Sequence, residues 1–299
     1  MATCNGKHGA KSRFAVQQGS TFDTGAIQLP ITRETIQNIQ TITDSDGIRG
    51  TRSLHSNRAR ITSKLIRGSF WLHPGPSHLD TLLPLILGAA EATDVFALDE
   101  AIPGFKIGKD LDGDVYEYTD CVVARAVFQG RAQGLVELRV DVVGKTEATS
   151  SWPAMGGLGS TLDDQPYVFA DAASALELPN STAVEMQAFR LTVDNFPNVR
   201  FVNSLTPTSL CAQKREITLE VVAPFYTTAE KALYATTEIT GGLTFTNSTV
   251  STDFDFAALR PETRTPVIPG KEEITHSLRY TARETASAKE LVVTNDSTV

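Results

Sequence analysis

The stretch Leu135-Val136-Glu137-Leu138-Arg139-Val140-Asp141-Val142 indicates the fold class, because polar residues fall on every second position from Glu137 onward. Successive side chains of a β-strand point to opposite faces, so this pattern predicts a strand with one buried and one wet face. Similar alternation occurs in Phe189–Val193, Glu216–Val222 and Ile274–Thr281. The sequence therefore predicts a mainly β protein built from half-buried strands.

Short turn signals divide these strands. Pro103-Gly104, Asp112-Gly113 and Pro269-Gly270 are typical of tight turns. The acidic cluster Asp110 to Asp114 surrounds one of them and is the only cluster of the sequence that is typical of a metal site. Its Asp and Gly residues stand in the wrong order for an EF-hand loop, and no Glu follows at the twelfth position. We therefore predict a hairpin turn at Asp112-Gly113 and no metal site.

Two segments have helical spacing instead. The first, Ser77–Leu87, begins with Ser and has Asp80 three residues later, as in a capping box. The second, Thr227–Tyr234, begins with Thr and has Glu230 three residues later. Apolar residues then recur every three or four positions in both segments, so each predicts a short helix.

The two predicted helices lie in segments that match each other at an offset of half the chain. The matched pairs are Asp44 and Asp194, Lys64 and Lys214, Pro74 and Pro224, Ser77 and Thr227, Asp80 and Glu230, and Leu83 and Leu233. The match needs no gap from Asp44 to Leu83, which indicates an internal duplication. Because a strand followed by Pro, a cap and a helix is a common local pattern, chance similarity is the alternative.

The duplication suggests a division of the chain into two domains. We predict an N-terminal domain over residues 1–150, a linker and connecting segment over 151–185, and a C-terminal domain over 186–299. Gly, Ser and Pro are frequent in 151–162, as in linkers. The polar C-terminal end, Ser287–Val299, is predicted to form an arm.

Composition excludes several classes of protein. No apolar run approaches the roughly 18 residues of a membrane helix, and the N-terminus lacks the apolar run of a secretory signal. Three distant cysteines, Cys4, Cys121 and Cys211, predict neither a disulfide framework nor a zinc site. They are typical of a protein made in a reducing cytoplasm. Of the 27 basic and 35 acidic residues, residues 1–150 hold 16 and 17, and the remainder holds 11 and 18. The second half therefore carries most of the net charge of −8, and such a surface repels nucleic acid.

Motifs of known catalytic chemistry are missing from the sequence. It contains no HExxH, GxSxG, Walker or GxGxxG motif, and its adjacent carboxylates, such as Glu272 and Glu273, would point to opposite faces of a strand. We therefore predict no enzyme and no cofactor.

One segment has an unusual charge. Six basic residues fall in a stretch without a single acidic residue, and they are Arg49, Arg52, Arg58, Arg60, Lys64 and Arg67. Three interpretations remain open: a contact with DNA, a solvated strand face, and a contact with the acidic half of a neighbouring subunit. The segment lacks the interleaved aromatic residues of single-strand binders, which disfavours the first interpretation.

Several short blocks resemble the tail tube family of long-tailed phages (siphophages). In the first half they are Ile48 to Ser53, Ile66 to Phe70, Leu82 to Ala89 and Val142 to Lys145, and in the second half Leu191 to Asn195, Asn203 to Thr208 and Ile217 to Tyr234. The resemblance covers roughly residues 20–285, and none of the blocks is a catalytic signature.

The resemblance implies two tandem β-sandwich domains, each with a flanking short helix, that contribute strands to a β-barrel closed around a ring. It also implies a virion protein that is made in the host cytoplasm and assembles into stacked rings around a lumen for double-stranded DNA. Six such domains make a ring, so a duplicated chain favours three copies over six. A tape-measure protein and a tail terminator are the further partners that it implies, and it implies no contact with a membrane.

Two other functions remain open at this stage. One is a different phage structural protein, such as a decoration or baseplate protein. The other is a β-sandwich enzyme acting on carbohydrate, which would need an acid/base or nucleophile set that the sequence does not show.

Overall fold

The mainly β prediction is confirmed. The computed structural model describes residues 7, 9–45, 47, 53, 56–152, 162, 164–172, 176–178, 183–225, 237–247, 249–262, 270–271 and 273–297. Almost all regular structure within these residues is antiparallel β-sheet.

The strands are numbered in chain order. They are β1 (Arg13–Gln18), β2 (Ile27–Gln28), β3 (Ile31–Glu34), β4 (Gln37–Asp44), β5 (Ala59–Leu72), β6 (Val95–Ala97), β7 (Phe105–Leu111), β8 (Asp114–Arg131), β9 (Glu137–Gly144), β10 (Thr146–Ser150), β11 (Leu176–Glu177), β12 (Ala188–Asp194), β13 (Asn198–Arg200), β14 (Ser209–Cys211), β15 (Glu216–Pro224), β16 (Ile239–Asn247), β17 (Val250–Pro261), β18 (Thr275–Ala282) and β19 (Leu291–Asp296). Helix α1 covers Pro76–Leu87, and 3-10 turns cover Gly9–Lys11, Ser56–Arg58 and Phe169–Ala172.

A large antiparallel sheet runs through both halves of the chain in the order β4-β5-β9-β8-β12-β15-β18-β17. β3 pairs with the C-terminal end of β5, on the same side as β4. All four segments with predicted alternation lie in this sheet, and one face of each is buried as predicted. The described strands do not close into a barrel within one chain, because β4 and the β18–β17 side lie at opposite edges.

Two smaller sheets and a short pair of β13 with β14 complete the fold. The first has the order β2-β1-β7-β8-β10, and the second has the order β11-β16-β17-β19-β6. The long strands β8 and β17 belong to a small sheet at their N-terminal ends and to the large sheet at their C-terminal ends. Phe128 of β8 and Phe254 of β17 meet edge to face at 5.2 Å, so both halves share one apolar core.

The predicted turn and first helix are confirmed, but the predicted cap is wrong. Asp112 and Gly113 form the two-residue turn between β7 and β8, both with positive φ. Helix α1 begins at Pro76 rather than Ser77. The carboxylate of Asp164 accepts the Ser77 N–H at 2.8 Å and supplies the capping acceptor from a distant segment. Short-range spacing could not reveal this partner.

Two other predictions need correction. The C-terminal end does not form an arm over residues 291–296, because β19 pairs with both β17 and β6 and buries Leu291 and Val293. Its alternating apolar residues are what a half-buried strand requires. The described part of the predicted linker, 151–185, also contributes Tyr167 and Leu176 to the core. The predicted second helix, Thr227–Tyr234, lies outside the described residues.

The strand pairing of the first half is repeated in the second. The order β4-β5-β9-β8 in the large sheet corresponds to β12-β15-β18-β17, and β1-β7-β8-β10 corresponds to β11-β16-β17-β19. The register of the first pair differs between the halves, because Thr41 pairs with Ser63 whereas Leu191 pairs with Leu219. The ungapped sequence match is therefore not preserved in β4 and β12.

Candidate assembly surfaces

The two halves of the chain are joined by direct strand pairing. β8 of the first half and β12 of the second pair over seven residues, from Arg131 opposite Ala188 to Arg125 opposite Asp194. At the end of this joint, the Arg125 guanidinium contacts the Asp194 carboxylate, with Nε at 2.7 Å and Nη2 at 2.6 Å. The Asp194 side chain is largely buried, so this charge-assisted contact fixes the register of the joint.

The residue that follows the joint secures it to helix α1. Asn195 is buried, and its side-chain amide donates to the carbonyl of Ile86 at 3.0 Å and to that of Val123 at 3.3 Å. Its backbone N–H donates to the carbonyl of Ala124 at 2.9 Å. The block Leu191 to Asn195 therefore combines a core strand, an ion pair and a cap for the end of α1.

A second polar connection joins α1 to the second half. The amide of Asn295 in β19 donates to the Asp80 carboxylate at 2.5 Å and to the Pro76 carbonyl at 3.0 Å. Its side-chain oxygen accepts from the Thr252 hydroxyl at 2.5 Å. Burial raises the pKa of Asp80, and the hydrogen bond from Asn295 lowers it in part. Together, the hydrogen bonds of Asn195 and Asn295 connect α1 to the large sheet and to the small sheet that contains β19.

The outer face of the large sheet is polar and carries charges of both signs. Its charged members include Arg125, Arg139, Arg190, Arg279, Glu137, Asp141, Asp194, Glu216 and Glu220, which stand on five neighbouring strands. Most of these charges have partners. Arg139 Nε lies 2.7 Å from Asp141, Gln129 donates to Glu137 at 2.7 Å, and Arg279 Nη1 lies 3.6 Å from Glu220.

This face also holds an aromatic stack near its first-half edge. The Trp71 ring lies between two guanidinium groups, with Arg33 Cζ at 4.0 Å and Arg139 Cζ at 5.3 Å from the ring centroid. Cross-strand pairing places the three residues side by side on β3, β5 and β9. Cation–π contacts of this kind hold arginine side chains flat against the sheet.

The hairpin formed by β4 and β5 projects from one end of the large sheet. β9 covers β5 only as far as Ile66, and the hairpin continues from there to Asp44 and Ala59. Nearly every residue of β4 is exposed. The outer edge of β4 has no partner strand among the described residues, so it presents free backbone groups for pairing.

Four of the six predicted basic residues lie on this hairpin. Arg60 and Arg67 share one face with Ile39, because a bulge opposite Thr41 and Ile42 shifts the alternation of β5, and Lys64 lies on the other face. Arg58 ends a 3-10 turn and donates to the Ser45 hydroxyl at 2.7 Å. No carboxylate of the described residues lies within 4 Å of these four cations. Arg49 and Arg52 lie outside the described residues.

The described residues show no sign of the other site types. They contain no group of three or more His, Cys, Asp or Glu residues arranged to hold a metal ion. Within the same residues, none of the helices has the length and apolarity needed to cross a membrane. Asp110 serves the turn instead, since it accepts the Gly113 N–H at 2.7 Å and contacts Arg13.

Comparison with known families agrees with these surfaces. A family described as phage tail tube protein matches residues 9–282. The chain belongs to the phage tail tube protein family. No individually curated protein matches the chain. The family resemblance predicted from the short sequence blocks is therefore confirmed.

Membership of the family fixes the general role. Tail tube proteins are structural components of the phage tail, and they assemble with copies of themselves and with other tail components. The protein is therefore a virion tail component.

Sequence reasoning found the basic hairpin but missed the joint between β8 and β12. Alternation shows that a strand has a buried face, but it does not show which distant strand lies beside it. The short block ending in Asp194-Asn195 was the available signal, and its role became visible only through the contacts with Arg125 and α1.

Proposed function

We propose that this protein is the major tail tube subunit of a siphophage, and that its rings stack to form the lumen that conducts DNA through a long tail. The observation that carries the proposal is the large sheet, which has one face in the core, one polar face and an open edge at β4. Such a sheet can be continued by a second copy, which removes exposed edges from the assembly. The role is passive and structural, without catalysis.

The internal joint suggests how copies meet. In the repeated strand order, β17 corresponds to β8, and β4 corresponds to β12. The pairing of β8 with β12 within one chain would therefore be repeated by pairing of β17 with the β4 of another copy. The strand directions fit, because β17 and β4 lie at opposite edges of an eight-position antiparallel sheet. The duplication of the chain, proposed from sequence, is supported by this repeated order.

The strand count favours three copies in a ring. Eight strand positions from each copy give a barrel of roughly 24 strands, which has a backbone radius of about 24 Å at about 4.8 Å spacing and about 40° tilt. Side chains reach about 5 Å inward, which leaves a lumen about 38 Å wide. Duplex DNA is about 20 Å across and fits with its hydration. By the same estimate, a ring of two copies has a lumen about 22 Å wide. A ring of six copies has a lumen about 86 Å wide, which is too wide to guide DNA.

The polar face of the large sheet is the surface that we assign to the lumen. The second half of the sequence has an excess of carboxylates, but this face mixes arginine with carboxylate. Several of its arginines are held by ion pairs, such as Arg125 with Asp194 and Arg139 with Asp141. A cation that is paired and flat against the sheet contributes little to binding of phosphate, which depends on net neutralisation by free cations. DNA can therefore slide along such a wall.

The basic hairpin is proposed to contact another subunit. Arg58, Arg60, Lys64 and Arg67 have no acidic partner among the described residues of their own chain, and Asp44 is the only carboxylate of β4 and β5. The second half of the sequence supplies the excess of carboxylates that would meet them. The resemblance to the family also suggests contacts with a tape-measure protein and a tail terminator.

Negative-stain electron microscopy of the purified, concentrated protein tests the proposal. We expect rings or tubes with a central channel, because the edge of β4 is open for pairing. Titration with duplex DNA at 50 mM salt should show no strong binding to these rings. A protein that stays monomeric at every concentration and salt would refute the proposed function.

A further inference from the structure

Exposed large apolar side chains occur only at the two ends of the large sheet within the described part of the chain. At the hairpin end they are Ile39, Ile42, Ile61, Phe196, Phe201, Val202 and Leu205, and at the far end Leu135, Leu162 and Val168. The polar face and the outer faces of the small sheets have none. Because apolar patches of this kind mark contact surfaces, contacts are expected along the strand direction.

The apolar group beside the hairpin belongs to the connection between β12 and β15. Phe201, Val202 and Leu205 are between 41% and 49% exposed. The Thr208 hydroxyl accepts the Val202 N–H at 3.1 Å, and the short pairing of β13 with β14 closes the loop. The Lys64 N–H donates to the Leu205 carbonyl at 2.6 Å, which attaches this loop to the hairpin. The loop thus has a fixed shape that points apolar side chains away from the molecule.

The opposite end of the sheet carries a smaller apolar group on a braced support. Leu135 and Val168, which are 42% and 37% exposed, stand opposite each other in an isolated antiparallel bridge. Asp171 accepts the Val168 N–H at 2.8 Å, and the Gly134 carbonyl accepts the Phe169 N–H at 2.9 Å. These bonds fix both side chains where β8 turns into β9.

The two ends also differ in charge. The hairpin end has four cations on β5 and the turn before it that have no carboxylate partner among the described residues, against the single carboxylate of Asp44, whereas Asp171, Glu185 and Glu273 lie at the far end, together with Arg131 and Lys271. Two copies that meet hairpin to hairpin would bring like charges together, and a head-to-tail contact brings unlike ends together. Head-to-tail contacts of identical subunits repeat without limit, as a tube requires.

We propose that Phe201, Val202 and Leu205 of one copy dock on Leu135 and Val168 of the next copy along the tube axis. The inference rests on the proposed tube function and adds a second contact to that of the basic hairpin. At the hairpin end of the sheet, the first half of each chain then presents the basic hairpin of β4 and β5, and the second half presents the apolar loop between β12 and β15. Because the loop belongs to the second half and Leu135 to the first, successive rings meet only at rotations that place the second half of one chain on the first-half end of the next, although the strand order of the halves repeats.

Two variants of the full chain test the docking. The loop variant carries Val202→Asp and Leu205→Asp, and the far-end variant carries Leu135→Asp and Val168→Asp. Each should form rings that do not stack, because a buried charge replaces an apolar contact. A mixture of the two should form stacks of two rings and no longer, since one intact loop end meets one intact far end. A control with Ser12→Asp and Gln18→Asp, two exposed residues just before β1 and at its last position, should form tubes like the unchanged protein.

Electron microscopy with native mass measurement distinguishes the outcomes. If the unchanged protein forms no rings, the proposed function fails and this inference fails with it. If it forms tubes and both variants also form full-length tubes, only the docking proposal is overturned. A mixture that remains as single rings likewise overturns it.

A milder substitution distinguishes loss of docking from loss of folding. Leu205→Ser removes the apolar group without adding a charge, at a residue that is already 49% exposed. Elongation into tubes should then need at least about tenfold more protein, while ring formation is unchanged. An unchanged elongation threshold would overturn the proposal.

Discussion

β4 and β12 occupy corresponding places in the two halves of the chain, yet their surroundings differ completely. β12 lies between β8 and β15, and its residues alternate between buried and half-exposed positions. β4 pairs only with β5, and nearly all of its residues are exposed. The second half thus receives a neighbouring strand from the first half, whereas the first half receives none from its own chain. The comparison shows that the chain contains one strand joint between its halves, and under the proposed assembly the corresponding joint at β4 is made with another molecule.

The most severe change should be proline in the enclosed strand. Thr192→Pro removes a ladder donor and clashes within a strand that has partners on both sides, so we expect a loss of about 3 kcal/mol or more in the free energy of unfolding. Thr41→Pro in the edge strand should cost clearly less, because β4 has only one partner. Urea unfolding of both variants, followed by fluorescence, measures the difference.

The two proline variants are also expected to differ in ring formation. Thr41→Pro should leave a folded monomer that no longer closes rings, because proline opposite Ser63 disrupts the β4–β5 ladder and distorts the β4 edge. Equal destabilisation by both substitutions, or normal rings from Thr41→Pro, would contradict the contrast between the two strands.

Loss of the polar cap at the internal joint should have the next largest effect. Asn195→Ala leaves the buried carbonyls of Ile86 and Val123 without their donor, so we expect a loss of about 2 kcal/mol in the free energy of unfolding. Asn198→Ala, at an exposed position of β13, is the matched control and should change it by less than about 0.5 kcal/mol. If Asn198→Ala lowers the free energy of unfolding as much as Asn195→Ala does, the cap does not stabilise the joint.

Charge reversal on the hairpin should act on assembly and leave folding intact. Arg60→Glu should change the free energy of unfolding by less than about 0.5 kcal/mol, because Arg60 is exposed and has no acidic partner among the described residues. Assembly should weaken, and its sensitivity to salt should fall, since one intersubunit charge contact is lost. Light scattering across a salt series, with Lys11→Glu as the exposed control, measures both. Identical assembly curves for the two variants would leave the hairpin without its proposed contact.

The smallest effect should come from the outer faces of the small sheets. In β8, Glu117 contacts Lys106, whereas in β17 the carboxyl of Asp255 has its pKa raised by desolvation and by the nearby Asp253 and Glu177. A raised pKa in the folded state means that folding favours the protonated form. The free energy of unfolding is then highest below the usual pKa of Asp and falls as pH rises through the raised value.

Replacement of this carboxyl should remove that dependence. Asp255→Asn should stabilise the protein at neutral pH by less than about 0.5 kcal/mol, because the group is partly exposed to solvent. Thermal unfolding at acidic and neutral pH measures the change. Stabilisation that is larger at acidic pH than at neutral pH would reverse the expected sign.

Much of the fold follows from local sequence patterns. Alternation located the strands of the large sheet, and apolar spacing located α1, because both reflect which side of an element is buried. The order of the strands could not be predicted, since the partner of β12 lies on β8, more than fifty residues earlier in the chain. The cap of α1 escaped prediction for the same reason, because Asp164 reaches it from a remote segment. The predicted arm forms β19 instead, because Leu291 and Val293 are buried although most of their neighbours in sequence are polar.

The candidate surfaces likewise include one feature that the sequence predicts and one that it does not. The basic hairpin was visible in sequence because charge runs are local, and of its four described basic residues Arg60 and Arg67 are exposed while Arg58 and Lys64 are half-buried. The pairing of Arg125 with Asp194 could not be foreseen, since each arginine of the polar face has several carboxylates at other positions of the sequence. Only strand register selects among them.

The mass of the smallest closed ring, measured by native mass spectrometry, tests the central claim most directly. If one chain supplies both halves of a repeating joint, the ring should contain three copies of the 32.3 kDa chain. A ring of six copies would contradict the claim, because each chain would then contribute only one set of strands to the wall of the tube.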